Sequence, residues 1–230
     1  ARKKPEIYAV YTVDVKVSDE RAVFQKIRGK SGQIQLVEEK PYRFPTPKVM
    51  QKPTPVDRPV IVGTGPAGLF CGYMLAKAGF RPLLLERGRE VHKRREDVER
   101  FWRDGVLDPG SNVQFGEGGA GTFSDGKLTT TVKDPKGRMQ EVLRIFVEAG
   151  APKAILYEAK PHIGTDILIK VVENLRRQII KWGGEVRFES QVTALLTEDD
   201  RAAEASMQSR RITGVVAKGE EIRGGAVVLA

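Results

Sequence analysis

The chain has 230 residues, 40% of them hydrophobic and 30% charged, and its 39 Lys and Arg exceed its 30 Asp and Glu by a formal net charge of +9. At roughly 150 residues per domain this allows one to two domains, and the apolar content excludes a chain that is disordered throughout. One cysteine excludes an intrachain disulfide, and only two histidines argue against a metal site.

The positive charge is concentrated near the start of the chain. Residues 1–58 hold 13 basic against 7 acidic residues, a net of +6, whereas residues 59–230 hold 26 against 23. A basic excess is the electrostatic signature of nucleic-acid binding, and here it belongs to the first quarter only. The distribution therefore argues against nucleic acid as a partner of the whole protein.

Residues 1–40 are predicted to form a small α+β module. Ile7–Val17 and Ile34–Val37 have strand-like composition, and Ser18 is predicted to cap a helix that follows it. Residues 41–58 contain five prolines and are predicted to be a stiff linker. Residues 59–230 are then the main domain.

From Pro59 the pattern changes to strand, turn, helix and strand. Val60–Val62 is an apolar strand, Pro66–Ala78 a helix with proline in its first turn, and Pro82–Leu85 the next strand. Pro59–Ala76 is an uncharged run of 18 residues, but its glycines divide it into strand, turn and helix, so we predict no membrane span. No secretory signal is visible, and we expect a cytoplasmic protein.

The rest of the chain continues the α/β pattern. Residues 103–137 and 197–210 are predicted loops, and Arg94 and Arg95 are expected on the solvated face of a helix. Helices are predicted at Glu90–Trp102, Met139–Ala149 and Asp166–Trp182, the last with Thr165 as its N-cap, and strands at Glu185–Leu196, Arg211–Val216 and Gly225–Ala230. The predicted fold class is α/β, with a parallel sheet and helices, preceded by the small α+β module.

Residues 63–68 have the sequence GTGPAG, a GxGxxG motif between a strand and a helix. Gly63 allows the tight turn, Gly65 lets a pyrophosphate approach the backbone, and Gly68 lets the helix pack against the strand. The free amides at the helix start attract phosphate. The alternative is a glycine-rich turn in an α/β protein that binds no nucleotide.

Glu86 ends the second strand, 18 residues after Gly68. A carboxylate at this position can accept hydrogen bonds from a ribose diol. It would also repel a 2′-phosphate, which argues against NADP at this site.

The motifs together resemble one family. VIVGTGPAGLF and LLLERG resemble the FAD-binding half of two-domain flavoproteins, and NVQFGEGGAGTFSDGKL with KPHIGTD resembles bacterial FAD-dependent dehydrogenases of largely unassigned substrate and their plastid relatives. The resemblance implies a Rossmann-like FAD- or NAD(P)-binding domain with a parallel sheet, helices and a β-meander. Proteins of that family are about twice this length, so we expect an N-terminal fragment with a C-terminally incomplete FAD domain. The resemblance implies FAD contacts at these positions: Gly63, Gly65, Pro66, Ala67, Gly68, Glu86, Arg87, Gly118, Gly119, Ala120, Gly121, Thr122, Ser124, Lys127 and Val192.

Within this set, the second glycine-rich segment, 116–121, also fits GxGxxG but follows no apolar strand. We interpret it as a loop with close backbone approach to a ligand; a merely flexible loop is the alternative. Ser124 and Lys127 are candidates for the flavin edge or for an exposed turn, and His162 for a substrate contact or a turn.

The predicted function is an FAD-dependent oxidoreductase that passes hydride or electrons through the flavin, with NAD(P)H as a possible electron donor. The substrate is a small molecule of unknown identity, and no catalytic residue and no metal ligand is assigned. The alternatives are an NAD-dependent dehydrogenase with the same fingerprint, and a flavoprotein that binds or modifies RNA through its basic first module.

Overall fold

The computed structural model describes residues 8, 10–27, 34–38, 41–45, 57–199 and 210–230. The chain divides into two compact units, Ala1–Pro41 and Tyr42–Ala230. Most of the predicted linker, residues 46–56, lies outside the described part.

In the first unit, helix α1 spans Glu20–Ile27. The carboxylate of Asp19 accepts a hydrogen bond from the N–H of Ala22 at 2.9 Å, so Asp19 is the N-cap of this helix. The prediction that Ser18 is the N-cap was wrong. The predicted strands were also wrong where they can be seen: residues 8, 10–17 and 34–37 form no strand. The apolar side chains of these described residues are exposed, so they lack the half-buried face that the strand prediction assumed.

The second unit is built on a parallel sheet of four short strands in the order β3-β2-β1-β7. Three further strands form an antiparallel meander in the order β4-β5-β6. The strands are β1 Pro59–Val62, β2 Leu83–Leu85, β3 Glu185–Arg187, β4 Val192–Asp199, β5 Arg210–Ala217, β6 Glu220–Arg223 and β7 Ala226–Leu229.

The helices of this unit agree closely with the predicted ranges. They are α2 Pro66–Lys77, α3 Val91–Asp104, α4 Arg138–Glu148 and α5 Thr165–Lys181, with short 3-10 helices at Ala120–Phe123 and Lys153–Leu156. One detail differs: Gly164, not Thr165, occupies the N-cap position of α5.

Two apolar clusters cover the two faces of the parallel sheet. Ile61 and Leu84 pack with the helices, whereas Val60, Leu83 and Leu85 pack with Val215 and Ala217 of the meander. Because successive strand residues point to opposite faces, a strand buried on both sides must be apolar at every position. This explains the continuous apolar runs of β1 and β2.

The strands from β3 to β6 differ from the prediction in three ways. The predicted strand Glu185–Leu196 is two strands, because the chain leaves the parallel sheet after Arg187 and turns through Glu189, which has a positive φ of 52°. Strand β6 was not predicted, and β4 extends to Asp199 into the predicted loop. Residues 200–209 of that loop lie outside the described residues.

In the part of the chain that the structure describes, no helix combines the length and the apolar composition needed to cross a membrane. The uncharged run Pro59–Ala76 is divided between β1, a turn and α2, as the sequence predicted.

Candidate nucleotide-binding site

The three glycines of the first turn have different surroundings. A Cβ on Gly68 would lie 2.1 Å from the carbonyl oxygen of Gly63, so α2 can approach β1 this closely only with glycine there. Gly63 has a φ of 101°, which other residues rarely adopt. A Cβ on Gly65 would meet nothing within 4 Å. The fold therefore requires Gly63 and Gly68, whereas Gly65 faces open space.

Gly65 is also the N-cap of α2, with Pro66 at the first helical position. No side chain caps this end and no acidic residue lies in its first turn. The first amides of a helix have no intrahelical acceptor, and the helix dipole adds partial positive charge. The start of α2 can therefore bind an anionic group such as a pyrophosphate beside Gly65.

Glu86 lies at the end of β2 and is only 4% exposed. One carboxylate oxygen accepts the N–H and the hydroxyl of Thr64, each at 2.8 Å. The other oxygen accepts the N–H of Gly88 at 2.9 Å and that of Gly116 at 3.1 Å. Four bonds fill the acceptor capacity of a carboxylate. A ribose diol bound here would have to replace or share one of them, and the ribose contact stays a prediction.

The second glycine-rich segment, 116–121, packs directly against the first turn. The N–H of Gly118 donates to the carbonyl oxygen of Thr64 at 2.8 Å. A Cβ on Gly119 would lie 3.1 Å from the Cα of Gly65 and 3.2 Å from the ring of Pro66. The backbones of the two loops therefore approach each other closely, and the approach of the second loop to a ligand stays a prediction.

Arg94 corrects the prediction of a solvated helix face. Its side chain is buried, and its guanidinium lies 4.8 Å from the ring centre of Phe123. It donates to five backbone carbonyl oxygens at 2.6–3.3 Å, those of Asn112, Val113, Gly116, Glu117 and Gly119. Burial lowers the pKa of Arg94 to about 10, so the group stays charged at neutral pH.

One sequence signal could have found Arg94. It lies three residues after Val91 and four before Val98, on the apolar stripe that turns α3 inward. Arg95 does lie on the exposed face, as predicted, and pairs with Glu99 at 2.7 Å.

Glu117 is a second buried charge that the sequence did not single out. Its carboxylate accepts the N–H of Val91 at 2.8 Å and pairs with Arg176 of α5 at 2.7 Å. Burial raises its pKa, although the charge of Arg176 acts in the opposite direction. Glu117 thus joins the second loop to α3 and α5.

The remaining predicted contacts lie further along the chain from the two loops. Ser124 donates its hydroxyl to the carbonyl oxygen of Gly121 at 2.7 Å. The exposed Lys127 pairs with Asp125 at 2.8 Å, and its backbone forms an isolated β-bridge with His162. These contacts are those of a turn, and no described contact joins Ser124 or Lys127 to the first glycine turn.

Three further residues were predicted to contact the cofactor: Arg87, Val192 and Thr122. The Arg87 guanidinium stacks on the ring of Phe115 at 3.9 Å. Val192 begins β4, two residues after Ser190, whose N–H bonds the backbone oxygen of Glu86 at 2.7 Å. Thr122 is buried, with no hydrogen-bond partner for its hydroxyl among the described residues.

Residues 61–112 match the family of NAD(P)-binding Rossmann-like domains. A protein of Clostridium beijerinckii, described as uncharacterized, is 42% identical over 214 residues, which is 93% of this chain and 39% of that protein. The chain thus spans less than half the length of this relative. The domain match and the sheet order together define a Rossmann-like fold with an added meander.

Solved structures with a similar chain path are more distant. THI4 of Thermovibrio ammonificans is 18% identical with a TM-score of 0.47, over 76% of this chain and 57% of that one. The 3-ketosteroid-Δ4-(5α)-dehydrogenase of Rhodococcus jostii is 17% identical with a TM-score of 0.46, over 83% and 48%. A flavocytochrome c3 fumarate reductase is 18% identical with a TM-score of 0.45, over 77% and 34%.

Proposed function

We propose that this chain is the dinucleotide-binding part of an FAD-dependent oxidoreductase acting on a small molecule. The observation that carries the proposal is Gly65, an uncapped helix start that faces open space beside a second glycine loop. A helix end of this kind binds a diphosphate, and diphosphate is common to FAD and NAD.

The residues of the first glycine turn are suited to bind the diphosphate of such a cofactor. Gly63 and Gly68 allow the turn, the backbone amides at Gly65 and Ala67 would bind the anion, and Pro66 starts the helix without needing a hydrogen-bond acceptor. The FAD would supply the hydride or electron chemistry at its flavin ring. This chain's part is to bind and orient it, and NAD(P)H is proposed as an electron donor.

FAD is favoured over NAD by the sequence resemblance and by two features of the fold that accord with it. The meander between β3 and β7 covers one face of the sheet, and the loop 116–119 lies against the pyrophosphate turn. The RNA-binding alternative depends on residues 1–58, of which a large part lies outside the described residues.

The decisive experiment is to denature the intact protein and identify the nucleotide released from it. We expect one FAD per chain, detected by mass and by its absorption spectrum. Release of NAD without FAD would favour the NAD-dependent dehydrogenase instead. A protein that contains no nucleotide and binds neither FAD nor NAD in titration would overturn both.

A further inference from the structure

Arg94 is a buried cation whose hydrogen-bond donors are satisfied by backbone carbonyl oxygens. Among the described residues no carboxylate lies within ion-pair distance of it, and its five bonds go to backbone oxygens of residues 112–119. Burying a guanidinium is costly unless its donors are satisfied. Here the donors are satisfied by a loop rather than by an acid, so Arg94 determines the shape of that loop.

Glu86 and Glu117 also hold this loop, through Gly116 and Arg176, and Arg94 adds hydrogen bonds to five of its carbonyl oxygens. Gly116, Gly118 and Gly119 have φ angles of 120°, 85° and 63°, and a glycine-rich backbone loses more conformational entropy on ordering than other sequences. A Cβ on Gly116 would lie 2.5 Å from the Cδ of Arg94, so the loop lies directly on this side chain.

One peptide group connects Arg94 to the first glycine turn. The oxygen of the Glu117–Gly118 peptide accepts a hydrogen bond from Arg94 at 2.6 Å, and its N–H donates to Thr64 at 2.8 Å. The two ends of a trans peptide point in opposite directions, and no cis peptide occurs among the described residues. By holding the oxygen, Arg94 therefore directs the N–H towards Thr64.

Thr64 lies between Gly63 and Gly65, so this bond reaches the turn that faces the diphosphate. Glu86 supports the same turn from another side through Thr64, and its other oxygen holds the N–H of Gly116. The second loop therefore holds the turn at residues 63–65 in place, and Arg94 holds the second loop in place.

We propose that Arg94 is a positioning residue for the dinucleotide, acting through the Glu117–Gly118 peptide on the Thr64–Gly65 turn. This inference rests on the proposed function, because it assigns the diphosphate to that turn. Arg94 does not touch the nucleotide. It lowers the cost of binding by ordering the turn beforehand.

The test compares Arg94→Gln and Arg94→Lys with Arg95→Gln, whose side chain is exposed on the same helix. FAD affinity is measured in the intact, FAD-depleted protein by flavin fluorescence. We expect Arg94→Gln to weaken FAD binding by about tenfold or more, Arg94→Lys to weaken it less, and Arg95→Gln to change it less than about twofold.

Chemical rescue tests whether the guanidinium group of Arg94 itself supports FAD binding, beyond any effect on general stability. Guanidinium chloride at low millimolar concentration should restore part of the FAD affinity that Arg94→Ala loses and should leave the FAD affinity of Arg95→Gln unchanged. Arg94→Gln and Arg94→Lys variants that fold and bind FAD as the wild type does would overturn the inference. A lower melting temperature with unchanged FAD affinity would also overturn it.

Hydrogen exchange of the nucleotide-free protein separates this inference from the proposed function. Arg94→Lys, the mildest change, should increase exchange both in residues 112–119 and in the turn 63–65. If the wild type binds no FAD, the proposed function fails whatever the exchange data show. Increased exchange confined to residues 112–119 would contradict the coupling of the two loops.

Discussion

The N–H of Gly118 donates to the carbonyl oxygen of Thr64 across 2.8 Å and joins two glycine-rich loops that are distant in sequence. Glu86 makes the second connection, since its carboxylate binds both Thr64 and the N–H of Gly116. The candidate site is therefore a pair of mutually supporting loops, and changes in either one are expected to affect nucleotide binding.

Substitution of Gly65 should affect FAD binding, whereas substitution of Gly68 should affect the stability of the fold. Gly65→Val should fold normally and lose FAD, because its side chain would fill the open space beside the helix start. Gly68→Ala should lower the free energy of unfolding by about 1–3 kcal/mol or more, because its Cβ would collide with the oxygen of Gly63. Thermal unfolding and FAD content measure the two effects.

Gly164→Val is the matched control for Gly65→Val. Gly164 is likewise a helix N-cap with extended backbone and no atom within 4 Å of an added Cβ. We expect it to retain FAD. A Gly65→Val protein with full FAD occupancy would place the diphosphate elsewhere.

Glu86→Ala should weaken both the fold and the site. Removing the buried carboxylate leaves the N–H groups of Thr64, Gly88 and Gly116 without their acceptor. The free energy of unfolding of the nucleotide-free protein should fall by on the order of 1–3 kcal/mol, and FAD affinity should fall with it. Urea unfolding and FAD titration test this, and unchanged values in both would show that the carboxylate supports neither loop.

Glu86 should also discriminate between nucleotides. AMP should compete with FAD for the FAD-depleted protein, whereas adenosine 2′,5′-bisphosphate, which differs from AMP only in its 2′-phosphate, should compete at least about tenfold less well, because that phosphate would approach a buried carboxylate. Equal competition by the two nucleotides would contradict a ribose site beside Glu86. Fluorescence of the displaced flavin reports both.

We expect the ionisation of Tyr73 to lower the free energy of unfolding at alkaline pH. Its buried hydroxyl donates to Glu148 at 3.2 Å, and burial together with that carboxylate raises the pKa of Tyr73 to about 12. The unfolded chain loses this proton near the ordinary value of 10, so the contribution of Tyr73 is present below pH 10 and declines as pH rises towards 12.

Tyr73→Phe should therefore show a shallower fall in the free energy of unfolding between pH 10 and pH 12 than the wild type does. Urea titrations across this range provide the measurement. Tyr157→Phe, at a residue 79% exposed, is the control and should leave the slope unchanged. Parallel slopes for Tyr73→Phe and wild type would contradict the assignment.

Local chemistry accounts for what the sequence predicted well. The apolar runs of β1 and β2, the glycine turn at 63–68 and the amphipathic α5 each depend on neighbouring residues, so their periodicity and turn chemistry place them within one or two residues. The first unit was predicted less well, because Val10 and Tyr11 have strand-like composition but are exposed and lie outside any strand of the described residues.

By itself, the sequence determined the βαβ unit, the glycine turn and the carboxylate that ends β2. Only the tertiary structure decided that Arg94 donates to backbone carbonyl oxygens, that Glu117 joins α3 to α5 and that Glu86 already holds both loops. The apolar stripe of α3 indicates that Arg94 points inward, but no local pattern shows which groups satisfy its charge there. Its environment depends on contacts across the fold that chain spacing does not encode.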